Sequence, residues 1–169
     1  MSALHEMVVE SVRVHMLSSQ HVVILRDTVR ERYLPIWIGP WEANAIAMKL
    51  QGVTPERPMT HDLFSRTLDE LGAVVKQIIV SDLAEDTFRA RLLLELDGRT
   101  VDVDARPSDA IALAVRAGVP IFATDAVLDR AGVVPESDED EKLSVFREFV
   151  NSLNIDLPGE GPEERRRLD

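Results

Sequence analysis

Two short polar segments each begin a predicted helix, and each combines an arginine with an acid. The first is Arg57-Pro58-Met59-Thr60-His61-Asp62. Thr60 is predicted to cap the helix, which places His61 and Asp62 in its first turn. Negative charge is favoured at a helix N-terminus, and a bound phosphate is favoured there too. The segment therefore predicts either a phosphate site with a titratable histidine or an ordinary helix start with a surface histidine.

The second segment is Arg106-Pro107-Ser108-Asp109, at the start of an alanine-rich helix. Ser108 is the predicted cap and Asp109 lies in the first turn. The counterpart earlier in the chain, Gly39-Pro40-Trp41-Glu42, keeps the acid but lacks the arginine. If the protein has an active site, this asymmetry favours the second segment together with His61-Asp62.

The strand that leads into this segment alternates polar and apolar side chains, the polar ones being Asp102, Asp104 and Arg106. Alternate residues of a strand point to the same face, so the two carboxylates share one side. Oxygen ligands of this kind suit Mg²⁺ or Mn²⁺. The alternative is a solvated face on which Arg106 neutralises its neighbours.

Composition narrows the possible functions. The formal net charge of −11 argues against a free-standing nucleic-acid clamp, so contact with nucleic acid would need local arginines or bridging metal ions. The chain has no cysteine, which excludes disulfides, thiolate metal sites and cysteine nucleophiles. It shows no signal peptide and no apolar run of membrane-spanning length, so we expect no membrane partner and a cytoplasmic location. No zinc-like spacing links the histidines, which are His5, His15, His21 and His61.

The elements that must position these residues occur in two similar halves, residues 7–72 and 73–132. Each half reads as several β-branched strands followed by an alanine-rich helix with one narrow apolar stripe, 40–49 in the first half and 107–116 in the second. A further short helix is predicted at 60–71 and at 124–131. The predicted fold class is α+β, with this unit internally duplicated and its strands in mixed or antiparallel sheets.

Three local features complete the predicted architecture. Asp97-Gly98 is typical of a tight hairpin turn. A C-terminal helix at 136–153 completes a single domain of residues 1–153, and 154–169 is predicted to be a disordered tail. Residues 33–38 are apolar on both faces, which indicates a strand covered on both sides or one that meets another subunit, and Pro35 favours an edge or a bulge. We therefore expect a homo-oligomer.

Three segments together resemble the bifunctional nuclease family, and the resemblance spans roughly residues 7–132. They are Leu34-Pro35-Ile36-Trp37-Ile38-Gly39 with Glu42-Ala43, Arg57 to Leu63, and Arg106 to Ala114 with Pro120-Ile121. The resemblance implies a nuclease active on both DNA and RNA, a compact mixed α/β fold and oligomeric assembly. It does not bring a settled set of catalytic residues.

Combined with the polar segments, the resemblance predicts divalent-metal-assisted hydrolysis of phosphodiester bonds. Asp62 and Asp109, with Glu42, would hold Mg²⁺ or Mn²⁺, and the cation would turn an acidic cleft into a phosphate site.

The remaining predicted roles concern proton transfer and phosphate binding. His61 would activate water or protonate the leaving group, acting in one catalytic set with Asp62 and Asp109. The predicted phosphate-binding residues are Arg57, Arg106 and Ser108. The rival interpretation is a non-catalytic, oligomeric binding or regulatory protein in which these residues only cap helices and join the halves. Low aromatic content and net acidity favour that rival.

Overall fold

A seven-stranded sheet carries the helices of this protein. The computed structural model describes residues 2–15, 17–135, 146–149 and 152. The described residues up to Pro135 form one compact unit, and the helical residues 146–149 and 152 belong to a second. Most of the predicted helix at 136–153, and all of the predicted tail at 154–169, lie outside the described residues.

The order of three strands followed by an alanine-rich helix occurs twice in the first unit. The first half comprises β1 (Leu4–Val14), β2 (His21–Asp27), β3 (Tyr33–Ile38), α1 (Pro40–Leu50) and α2 (Thr60–Glu70). The second comprises β4 (Val74–Ala84), β5 (Thr87–Leu96), β6 (Arg99–Ala105), α3 (Pro107–Ala117), β7 (Ile121–Thr124) and α4 (Asp125–Ala131). The predicted mixed α and β content is confirmed.

The strands are ordered β3-β2-β1-β7-β4-β5-β6. Each half contributes an antiparallel meander, and β7 lies between them, antiparallel to β1 and parallel to β4. The sheet is therefore mixed. Strand β7 was not predicted, because four residues are too few to show a period and its pairing partners come from distant parts of the chain.

Two local predictions about the strands agree with the structure. Asp97 and Gly98 both have positive φ, 51° and 77°, in the turn that joins β5 to β6. Strand β3 lies at one end of the sheet, so Pro35 is on an edge strand. An edge strand does not need every backbone N–H for its ladder, which is why proline is tolerated there.

Helix α3 is buried around its circumference, which corrects the predicted narrow stripe. Five consecutive residues, Ala110 to Ala114, are each at most 2% exposed. The reason is that α3 packs on β4 and β5 and is also covered by α1 and α2. This sandwich brings the first turns of α1, α2 and α3 into one region. None of the described helices is long and apolar enough to cross a membrane.

Candidate active site

A continuous row of hydrogen bonds joins His61, Asp109, Arg106 and Glu42. Nε2 of His61 lies 2.9 Å from Oδ1 of Asp109. Arg106 donates from Nε to Oδ2 of Asp109 at 2.8 Å and from Nη2 to Oε1 of Glu42 at 2.9 Å. Four residues predicted from two separate segments and their counterpart are thus in direct contact, and we call them the His61–Glu42 row.

The row is assembled from the starts of three helices. Glu42 lies in the first turn of α1, His61 in that of α2 and Asp109 in that of α3, while Arg106 is the residue that precedes α3. Because α1 and α2 both pack on α3, these turns are neighbours although they are far apart in sequence.

The predicted caps were wrong at both polar segments. Helix α2 is capped at Met59 rather than Thr60, and the carboxylate of Asp62 accepts a hydrogen bond from the Met59 N–H at 2.9 Å. Helix α3 is capped at Arg106 rather than Ser108, which is the second helical residue and is 5% exposed. In α3 the first helical residue is Pro107, which suits that position and places the cap at Arg106. In α2 the side chain of Asp62 reaches back to the Met59 N–H, so the helix starts one residue earlier than predicted. The burial of Ser108 leaves it little access to a phosphate.

Glu42 reaches Arg106 through a space that depends on glycine. A Cβ atom placed on Gly39 would collide with the carboxylate of Glu42. Gly39 is the residue that caps α1, so the Glu42 side chain folds back over its own helix start. The side chain of Glu42 is 15% exposed, whereas that of Arg106 is 65% exposed. The guanidinium is therefore the part of the row most open to an incoming ligand.

The charges in the row stabilise one another. Partial burial would raise the pKa of Asp109, but hydrogen bonds from Arg106 and His61 outweigh that effect and hold the pKa below its ordinary value. Asp109 and Glu42 in turn raise the pKa of Arg106. Asp109 is thus ionised at neutral pH and can orient the His61 ring.

Asp62 follows His61 in sequence, but its carboxylate makes its hydrogen bonds outside the His61–Glu42 row. Its Oδ1 accepts from Nε of Arg116 at 2.8 Å. Arg116 also donates to the backbone carbonyls of Ala112, at 2.8 Å, and Ala45, at 3.1 Å, and its side chain is 8% exposed. Burial would raise the pKa of Asp62, yet the bonds from Met59 and Arg116 keep it low. The ion pair joins α2 to α3, and the bond from Arg116 to Ala45 adds α1.

A cleft of about 450 Å³ opens on the Asp62 side. It is bordered by the loop between α1 and α2, which includes Arg57, and by parts of all three helices. Its lining contains four cationic residues and two acids, and the cationic ones are Lys49, Arg57, Arg66 and Arg116. Of the predicted phosphate-binding residues, Arg57 therefore lies in the cleft and Arg106 lies in the His61–Glu42 row.

The predicted metal ligands do not form a ready cation site. Glu42 and Asp109 share the guanidinium of Arg106, while Asp62 is paired with Arg116. Within residues 2–15, 17–135 and the described part of the second unit, no three His, Cys, Asp or Glu side chains are grouped so that they could hold a metal ion. A cation bound by Glu42 and Asp109 would have to displace Arg106.

The acidic face of β6 is neutralised by a residue that was not predicted. Arg91 on neighbouring β5 makes two hydrogen bonds of 2.7 Å to the carboxylate of Asp102. Arg106 instead turns to Asp109 and Glu42. The solvated-face interpretation therefore holds for Asp102 with a different arginine, which lies opposite Asp104 in the register and reaches Asp102 diagonally.

Sequence reasoning missed two polar groups. Arg116 shows no local signal of a role in the site, and only the fold shows it buried against Asp62. His5 hydrogen-bonds Asp125 in the first turn of α4 and lies 4.0 Å from Asp27. No spacing could have revealed this second group, because His5 and Asp125 are 120 residues apart.

Comparisons with known proteins agree on one family. Residues 23–136 match the family model described as the bifunctional nuclease domain. An uncharacterised protein of Mycobacterium tuberculosis is 44% identical over 160 residues, which cover 89% of this chain and 96% of that protein. Bifunctional nuclease 1 of Oryza sativa subsp. indica is 22% identical over 146 residues, covering 84% of this chain and 44% of the rice protein. Bifunctional nuclease 1 of Arabidopsis thaliana is 30% identical over 91 residues, covering 52% of this chain and 28% of the plant protein.

Proposed function

This chain belongs to the bifunctional nuclease domain family, and we propose that it hydrolyses phosphodiester bonds of DNA and RNA at the His61–Glu42 row. The observation that carries this proposal is the 2.9 Å contact between His61 and Asp109. A histidine held by an ionised carboxylate can both accept a proton from the attacking water and donate one to the leaving group.

The reaction requires one proton to leave the attacking water and one to reach the leaving sugar oxygen. Nε2 of His61 is held by Asp109, so Nδ1 is the nitrogen that exchanges protons with the substrate. His61 accepts the proton of water as its oxygen bonds to phosphorus. It returns a proton as the bond between phosphorus and the leaving oxygen breaks, and Asp109 stabilises the imidazolium in between.

Arg106 supports the binding of the phosphate. Its exposed guanidinium is a planar donor suited to phosphate oxygens. Two acids already compensate its charge, so the row carries a formal charge of −1 with neutral His61 and 0 with protonated His61. With the neutral His61 that accepts the proton of water, the negative row repels a phosphodiester unless a further positive charge is bound.

A divalent cation would change this charge balance. We propose Mg²⁺ or Mn²⁺ as the cofactor, with Glu42 and Asp109 as its carboxylate ligands, while the third predicted ligand, Asp62, is paired with Arg116. Bound there, it would supply positive charge for the phosphoryl oxygens. Arg106 is exposed and can turn outward to make room.

A non-catalytic binding protein is the alternative, and one observation favours it. The bonds of Arg106 and Arg116 tie three helices together, so the same residues could serve the fold alone.

The test is a cleavage assay with labelled single-stranded DNA and RNA in Mg²⁺, Mn²⁺ or chelator. Asp109→Asn and His61→Ala are compared with Asp102→Asn, a matched control that removes an arginine-paired carboxylate on another face. We expect cleavage to fall in the first two variants and to persist in the control. Cleavage that survives equally in all three would refute the site, and no cleavage under any metal condition would favour the binding protein.

We also propose that the chain forms a homo-oligomer. Strand β3 ends the sheet, and Trp37 on it is 50% exposed. An exposed aromatic side chain on an edge strand is a common feature of contacts between subunits. Light scattering should give a mass above that of one chain, and Trp37→Ser should lower it.

A further inference from the structure

The cleft beside Asp62 lies outside the His61–Glu42 row. Its lining has a positive formal charge, whereas the charge of the row is negative or zero. Resting on the nuclease function proposed above, we propose that it binds a backbone phosphate of the strand being cut, so that the substrate is an oligonucleotide strand and not a single nucleotide. Four cationic and two acidic residues line the cleft, a formal charge of +2 in a chain of −11.

Three of the four cations are available to a ligand. Arg116 is buried and its donors already bond Asp62 and two carbonyls. Lys49, Arg57 and Arg66 are exposed, and the structure gives them no ion pair with any described residue. Unpaired cations that face one cleft in an acidic protein create a local site for anions.

The cleft and the row lie at opposite ends of the same two helices. Glu42 and Lys49 are seven residues apart on α1, as are Asp109 and Arg116 on α3. At about 1.5 Å of rise per residue this separation is roughly 10 Å. A strand that reaches both places must therefore span more than one phosphate, which a mononucleotide cannot do.

The lining favours a phosphate backbone over bases. None of the described residues lining the cleft is aromatic, and the uncharged ones are Thr54, Pro55, Pro58 and Ser65. Aromatic side chains provide stacking surfaces for bases, whereas arginine, lysine and hydroxyl groups bind phosphates without reading sequence. A site of this kind accepts DNA and RNA alike.

Binding can be measured apart from cleavage. In a His61→Ala background, anisotropy of a labelled 12-nucleotide single strand is followed against salt for Lys49→Gln/Arg66→Gln and for Arg89→Gln, an exposed arginine on β5 outside the cleft. We expect the double variant to weaken binding at least tenfold at low salt. The slope of log K against log salt should become shallower by about 0.7, since the cleft holds one backbone phosphate and each phosphate contact on a single strand contributes about 0.7. Arg89→Gln should leave both unchanged.

Two results would overturn the assignment. One is an unchanged affinity and salt slope in the double variant. The other is inorganic phosphate or a mononucleotide that competes as well as the 12-mer, which would make the cleft a small-anion site. Binding that depends on Lys49 and Arg66 supports the cleft even if the wild-type chain cleaves nothing, a result that would refute the nuclease proposal alone.

Discussion

Nε2 of His61 lies 2.9 Å from Oδ1 of Asp109, although the two residues begin different helices and are 48 residues apart. Their contact exists because α2 packs on α3. The side chain of His61 is 12% exposed and that of Asp109 is 34% exposed, so the pair is sheltered but reachable. Substituting either residue of this pair should therefore reduce the rate of a reaction that depends on proton transfer.

His61 and Asp109 should act as one unit. We expect His61→Ala and Asp109→Asn each to reduce the cleavage rate by about 10²–10⁴, because positioned acid–base groups contribute roughly that much. The double variant should lose less than the product of the two single losses, since Asp109 acts partly through the imidazole. Rates measured under single-turnover conditions test this, and multiplicative losses would show that the two residues act independently.

Gly39→Ala should impair the row while leaving the fold intact. The new Cβ would displace the flexible end of Glu42 and break its bond to Arg106. Alanine is also a poorer helix cap than glycine, so we expect a loss of about 1 kcal/mol or less in the free energy of unfolding. Cleavage should fall to the level of Glu42→Gln, and Gly39→Ala/Glu42→Gln should be no worse.

A matched control is Gly132→Ala, whose Cβ would meet the backbone carbonyl of Leu128. Because backbone cannot move aside as a side chain does, this variant should be less stable than Gly39→Ala. It should retain the activity of whatever fraction is folded. If Gly132→Ala were more stable than Gly39→Ala but less active, the role given to Gly39 would be contradicted.

Arg116→Lys should destabilise the protein despite keeping the charge. Lysine cannot reproduce the bonds to Asp62 and to the carbonyls of Ala45 and Ala112 in their fixed directions. We expect a loss of about 2 kcal/mol, typical of buried polar partners left unsatisfied. Denaturant unfolding gives the value, with exposed Arg66→Lys as the control expected to be within about 0.5 kcal/mol of wild type.

Because of Asp27, the free energy of unfolding should depend on pH in the acid range. Burial would raise its pKa, but bonds from the N–H of Val29, from the Arg32 side chain and from the N–H of Arg30 hold it below the ordinary value. A lowered pKa in the folded state means that the stabilisation is complete above the unfolded pKa of about 3.9 and is lost as pH falls through the folded value.

Asp27→Asn tests this directly. At pH 7 we expect it to lower the free energy of unfolding by about 3 kcal/mol, since it removes one partner of a buried ion pair. The difference from wild type should shrink below about pH 4. The free energy of unfolding of Asp129→Asn, on the exposed side of α4, should follow that of wild type at every pH. A difference between Asp27→Asn and wild type that stays constant with pH would contradict the assignment.

Much of the fold was predictable because its signals are local. The repeated order of strands and alanine-rich helices follows from periodicity, and Asp97-Gly98 specifies its own turn. Strand β7 was not predictable, since four residues show no period and its place between β1 and β4 comes from long-range pairing. The caps at Met59 and Arg106 were missed because cap preference favoured Thr60 and Ser108, whereas Asp62 bonds the Met59 N–H and Pro107 takes the first position of α3.

Polar residue types at predicted helix starts were enough to identify the candidate residues, which are His61, Asp62, Asp109, Arg106 and Glu42. The tertiary structure decided how they are paired. It joined His61 to Asp109 and Glu42 to Arg106, and it turned Asp62 to Arg116 at the edge of a basic cleft. The physical reason is that helix starts are specified by neighbouring residues, whereas contacts between them depend on how α1 and α2 pack against α3, which no local pattern records.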